Sequence, residues 1–159
     1  MQFGIEAGII PSHLPYSSPI QEACQAADLS PALAYGIAFR ESIRGELAGL
    51  WTAATVVSGD GGYGLFQLTS SYPKNWDQPR ANADWALSQF IKPALTFFSA
   101  QGLTGEALIR CIAAAFNAGL ETAWEAHNNG NVDACTTGCD YAADVFAIYS
   151  AIIAGRTPQ

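Results

Sequence analysis

Apolar positions follow a helical period over most of the chain and lose it in one stretch. Residues 1–19 hold three prolines and three serines without any period, which predicts an irregular arm. Residues 20–28 predict a short helix. Ser30-Pro31 then supplies a cap followed by proline at the first helical position. Residues 31–44 are apolar nearly all round, the mark of a buried central helix. Residues 50–69 change character: TAATVV is β-branched, SGDGG is turn chemistry, and GLFQL is apolar again. A small hairpin lobe is predicted there. SSYPKNWDQP reads as loop, and residues 82–100 as a helix kinked at Pro93. Thr104 is placed to cap a helix that runs to Asn117 and stops at Gly119. Residues 120–127 predict a short helix, and residues 140–154 a final amphipathic one stopped by Gly155. The pattern is mainly α with a small β element: an arm, 1–19, and a single domain, 20–159.

At 159 residues, 50% hydrophobic and 13% charged, the chain can bury a sizeable core. Its net charge of −7 excludes a general nucleic-acid binder, which needs a basic stripe. It also gives no help against an anionic wall or membrane surface. No run approaches the roughly 18 apolar residues of a membrane span. The N-terminal run lacks a basic region, so no signal peptide is expected. Of the four cysteines, Cys24 and Cys111 fall in apolar helical patterns and read as buried thiols. Cys135 and Cys139 flank TTG, where a tight disulfide is open but not demanded. Neither His13 nor His127 stands at ligand spacing from these thiols, so no metal site is expected. Both histidines read as surface residues.

Glu41 closes the apolar segment LSPALAYGIAFRE. On a wheel of about 100° per residue it falls beside Ala34, Ile37 and Ala38, on an internal face. The plain reading is a helix-end carboxylate paired with Arg40 or Arg44. The alternative is a carboxyl in an apolar cleft, whose pKa rises until it can protonate a glycosidic oxygen near neutral pH. Glu46, beyond Gly45, reads as solvated surface. Asp60 before Gly-Gly is ordinary turn chemistry. Nineteen residues after Glu41 and across a hairpin, it could also return to face the helix end and hold a water. The nearby glycines permit close approach of backbone to a ligand.

RES at 40–42, GDGGYGLFQLT at 59–69, AAFNAG at 114–119 and TTGCDYAADV at 136–145 stand in the order and rough spacing of known elements. Together they resemble the goose-type lysozymes, which belong with the soluble lytic transglycosylases among the family 23 glycoside hydrolases. The resemblance covers most of the chain. It implies a lysozyme-like fold, a helical body and a small β-hairpin lobe with a substrate groove between. It implies Glu41 as general acid and Asp60 as the residue that positions water. Tyr63, Gly64, Leu65 and Gln67 then belong to the strand lining the groove. Phe116, Asn117 and Gly119 belong to the turn that shapes it, and Tyr141 is the aromatic near the acid. No cofactor is implied. The expected partner is a polysaccharide, peptidoglycan by default with chitin as the rival, acted on by a monomer that is secreted or delivered to a cell wall.

Two departures stand out. Thr69 occupies the place of the second aspartate of the goose-type pattern; its hydroxyl can hold a water but cannot act as a base. The interval from Glu41 to Asp60 is also longer than in the bird enzymes. Inverting hydrolysis therefore competes with a transglycosylase route that forms 1,6-anhydro products, and an inactive sugar-binding module is the non-enzymatic alternative. Trp85 and Trp124 read as core. Trp51 and Trp76 are as suited to the groove as to packing.

Overall fold

The protein is described by a computed structural model covering residues 2–159. It is 59% helical with almost no strand, so the mainly-α expectation holds. The helices are α1 (Ser17–Ala27), α2 (Pro31–Ala38), α3 (Arg44–Leu47), α4 (Pro79–Ala86), α5 (Lys92–Ala100), α6 (Gly105–Ala118), α7 (Leu120–Asn128) and α8 (Tyr141–Ile153). A π turn, Phe39–Ile43, joins α2 to α3 without a break; a second, Leu87–Ile91, joins α4 to α5.

α2 is the hydrophobic centre. All eight of its residues are buried, against α1 on one side and α8 on the other. Its start follows the sequence pattern. Ser30 Oγ accepts from Leu33 N–H at 3.2 Å, with Pro31 at the first helical position. Gly119 ends α6 as expected, with φ of 95°. Thr104, by contrast, precedes α6 without any hydrogen bond from its side chain. The kink expected at Pro93 is taken up just ahead of it. Lys92 N–H reaches back five residues to Leu87 O, and the helix continues through the proline. The expected arm is shorter than read: residues 2–16 are irregular but strapped down, and α1 already begins at Ser17. Ile5, Ile10 and Leu14 enter the core, and Tyr149 Oη accepts from Glu6 N–H at 2.8 Å.

The predicted hairpin lobe is not formed as a sheet. Residues 52–69 fold into turns with two isolated bridges, Val57 to Tyr63 and Tyr63 to Leu68. The backbone groups that a ladder would use go elsewhere. Ala53 N–H donates to Glu46 Oε2 at 2.6 Å, and Val56 N–H to Thr52 O at 3.0 Å. Gln67 adopts φ of 48°, in the left-handed region, which turns the chain where a strand would run straight.

A buried asparagine organises this lobe instead. Asn82 on α4 donates to Tyr63 O at 3.1 Å and Trp76 O at 2.9 Å, and accepts from Phe66 N–H at 2.9 Å. Asn82→Ala leaves the buried Phe66 N–H without its acceptor, at a cost of roughly 1–3 kcal/mol. A lowered urea midpoint is the expected result. An unchanged midpoint would mean that water replaces the side chain there.

All four cysteines are free thiols, with Cys24 and Cys111 buried as expected. Cys135 Sγ donates to Val132 O at 3.2 Å and Cys139 is exposed, so no disulfide closes the TTG turn. Among the described residues no helix is long and apolar enough to cross a membrane. Among them, too, no cluster of three or more His, Cys, Asp or Glu could hold a metal.

Candidate active site

Glu41 sits inside the Phe39–Ile43 π turn, where Arg44 N–H bonds to Phe39 O, five residues back. Such a turn holds one residue more than an α turn and rotates the downstream residues back by about 100°. That extra residue overturns the reading of Glu46 as solvated surface. Its Oε2 accepts from Tyr16 Oη at 2.7 Å and from Ala53 N–H at 2.6 Å, so Glu46 ties α3 to the start of the lobe. Ser42 ties the same turn to the lobe's far side, donating from Oγ to Leu65 O at 2.6 Å.

The plain reading of Glu41 as the partner of a neighbouring arginine does not hold. Arg40 pairs with Asp144 at 3.0 Å and with Asp140 at 3.1 Å, and Arg44 pairs with Asp144 at 2.8 Å. Among the described residues no cation lies within 4.0 Å of the Glu41 carboxyl. Its one side-chain partner is Tyr141, whose hydroxyl donates to Oε1 at 2.5 Å. Burial raises the Glu41 pKa from 4.5 to about 7, with Asp60 adding a smaller push. The Tyr141 bond and the more distant Arg40 pull the other way without cancelling it. Burial and the neighbouring Glu41 push the Tyr141 phenol well above its ordinary value, so it stays a donor.

Tyr141 is held by a group that the sequence did not advertise. Asp133, 3% exposed, accepts from Ala142 N–H at 2.7 Å, Ala143 N–H at 3.0 Å, Thr136 Oγ1 at 2.9 Å and Arg110 at 2.9 Å. Burial alone would raise its pKa, but these bonds outweigh burial and hold it below the usual carboxylate range. A charged carboxylate thereby fixes the first turn of α8, from which Tyr141 reaches Glu41. The only local trace is an Asp-x-x-Thr ahead of a helix.

Asp60, itself exposed, faces the same cleft from the tip of the 58–62 turn. Ser58 Oγ donates to its carboxylate and accepts from Gly62 N–H at 2.9 Å. The Ser58 bond keeps Asp60 below its ordinary pKa and therefore ionised at neutral pH. The cleft is about 410 Å³. Gln67, Thr69, Phe116 and Asn117 line it, together with Ser58 and Thr137, which the sequence pattern did not single out. It runs on past Thr69, Phe116 and Asn117 into a further space of about 270 Å³ beside Gln89, Pro93 and Leu120.

Several expected contact residues spend their polar groups on the protein itself or turn away from the cleft. Asn117 spends its amide on Thr137, accepting from Thr137 N–H at 2.9 Å and donating to Oγ1 at 3.3 Å. Gln67 Nε2 donates to Gly64 O at 2.8 Å. Gly64 has φ of 69°, and a Cβ there would meet Asn82 Nδ2 at 2.6 Å and Trp76 O at 2.8 Å, so only glycine fits. The Tyr63 ring turns away to stack on Tyr72 at 4.2 Å and meets Trp76 edge-on at 5.2 Å. None of the four tryptophans lines the cleft. Trp51 lies against Gly45, Trp85 donates to Ser71 O at 3.1 Å, and Trp124 packs on Phe97 and stacks on His127, which is therefore not a free surface residue.

Tyr141→Phe keeps the ring and removes the bond that favours the charged form of Glu41. The Glu41 pKa then rises, so the alkaline limb of any activity that needs its proton moves to higher pH. A pH–rate profile reads this directly; a limb that stays put would detach Tyr141 from Glu41's titration. Comparison with protein-family models and with curated proteins gives no match for this chain.

Proposed function

We propose that the chain is a glycoside hydrolase cleaving β-1,4 links in polymers of N-acetylated amino sugars. Glu41 is the general acid that protonates the leaving oxygen. Asp60 holds and deprotonates the attacking water, and the anomeric configuration inverts. One observation carries the reading: two carboxyls share a cleft while their surroundings drive their proton affinities apart. Glu41 keeps its proton to about pH 7 and Asp60 has already lost its own. That division suits an acid–base pair at neutral pH. The resemblance to goose-type lysozymes supports the same assignment residue by residue, with the 52–69 segment as the small lobe opposite a helical body.

A second reading has its own support. Asp60 is itself exposed, and Thr69 offers no base in its place. A lytic transglycosylase needs no activated water, because a hydroxyl of the substrate attacks instead. Mass spectrometry of digests of peptidoglycan and of chitin oligomers tests both readings. New reducing ends support the hydrolase, and 1,6-anhydro ends support the transglycosylase. Binding without any cleavage leaves an inactive sugar-binding module.

A further inference from the structure

Glu41 and Asp60 are the only ionisable side chains that line the cleft and its extension among the described residues. The chain carries seven Lys and Arg against fourteen Asp and Glu, and the cations are engaged elsewhere. Arg40 and Arg44 are held by Asp140 and Asp144 on the α8 side. Arg80 pairs with Asp84 at 2.9 Å and Glu22 at 3.3 Å, and Arg110 with Asp133 at 2.9 Å. Lys92 Nζ donates to Ala27 O at 3.3 Å. Lys74 and Arg156 line neither part of the groove. What the groove offers instead is neutral: the hydroxyls of Thr69 and Ser70, the Gln89 amide, and the apolar faces of Phe90, Phe116 and Leu120.

Resting on the proposed hydrolase reading, we infer that this groove selects an uncharged amino-sugar polymer, a chitin-like chain of N-acetylglucosamine, over wall glycan that carries acidic stem peptides. Hydroxyls and acetamides find neutral partners there, and sugar faces and acetyl methyls find apolar ones. A stem-peptide carboxylate would come beside ionised Asp60 with no cation in the cleft lining to meet it, since Arg40, near enough to act on Glu41, is already held by Asp140 and Asp144. Like-charge contact of that kind discriminates by repulsion rather than by added attraction. The global charge of −7 acts in the same direction at longer range.

The test measures kcat/KM of the intact protein on three substrates: an N-acetylglucosamine hexamer, wall glycan strands with stem peptides retained, and the same strands with their peptide carboxylates converted to amides, which should approach the hexamer. The hexamer is expected to be cleaved at least about tenfold more efficiently than peptide-bearing strands. Salt should narrow the gap as the screening length falls from about 8 Å at physiological strength to about 3 Å at 1 M. Gln89→Lys, which puts a cation on an exposed position of the extension, should shift the ratio severalfold toward peptide-bearing strands. Peptide-bearing strands cleaved as well as the hexamer, at every salt concentration, would overturn the selectivity and leave the hydrolase reading intact. No cleavage of any of the three would overturn the hydrolase reading, and the selectivity with it.

Discussion

Glu41→Gln is expected to abolish turnover, by roughly 10²–10⁴-fold at least, while the fold survives. The amide keeps the shape and can still accept from Tyr141, but it cannot give up a proton to a leaving oxygen. In the parent protein the alkaline limb of activity should fall near pH 7, where Glu41 loses its proton. A stability measurement checks the same group without any substrate. The folded chain holds this proton up to about pH 7, whereas the unfolded chain releases it near 4.5. Between those values the folded state binds more protons, so stability falls as pH rises, and the penalty is complete above 7. It amounts to about 1.4 kcal/mol for each pH unit by which the value is displaced. Glu41→Gln removes it, so the variant should be more stable than its parent at pH 8 and about equal at pH 4. A variant that is near-fully active and no more stable at pH 8 would remove Glu41 from the mechanism.

What the chain discloses before folding is whatever its local pattern controls. The buried run around α2, the Ser30-Pro31 start and the Gly119 stop depend on neighbouring residues alone, and they fold as read. Glu41 on an internal face is legible for the same reason. The failures share a different cause. The two π turns insert a residue that no wheel anticipates, which is why a wheel misplaces Glu46. The lobe reads as a hairpin because β-branching and turn residues alternate there, but its backbone partners arrive from Glu46 and Asn82 on separate helices. Arg40 and Arg44 look like Glu41's partners by proximity, whereas Asp140 and Asp144 take them from about 100 residues away along the chain. Competition between a near and a far partner is settled by packing, so sequence spacing alone could not say that Glu41 would stand without a counterion.

Asp60→Asn is expected to decide how the cleaved bond is resolved. In the proposed reaction, the anomeric carbon needs a nucleophile once Glu41 has protonated the leaving oxygen. A carboxylate on the far side of the ring can hold a water and take its proton. Asp60 is the one ionised side chain in the cleft, and Ser58 keeps it so. Thr69 lines the same cleft and can bind water, but its hydroxyl is no base at neutral pH. Glu46 cannot substitute, since Tyr16 and Ala53 occupy its carboxylate. The Asn variant should therefore lose most hydrolytic activity, with products of inverted configuration in the parent. Folding should be preserved, because residue 60 is exposed and Asn suits a turn before Gly-Gly. The opposite result has an equally definite meaning. If Asp60→Asn keeps its rate and peptidoglycan digests yield 1,6-anhydro ends, the attacking oxygen belongs to the substrate. Asp60 is then a turn residue braced by Ser58, and Glu41 works alone, first as acid and then as the base that activates a hydroxyl of the sugar itself.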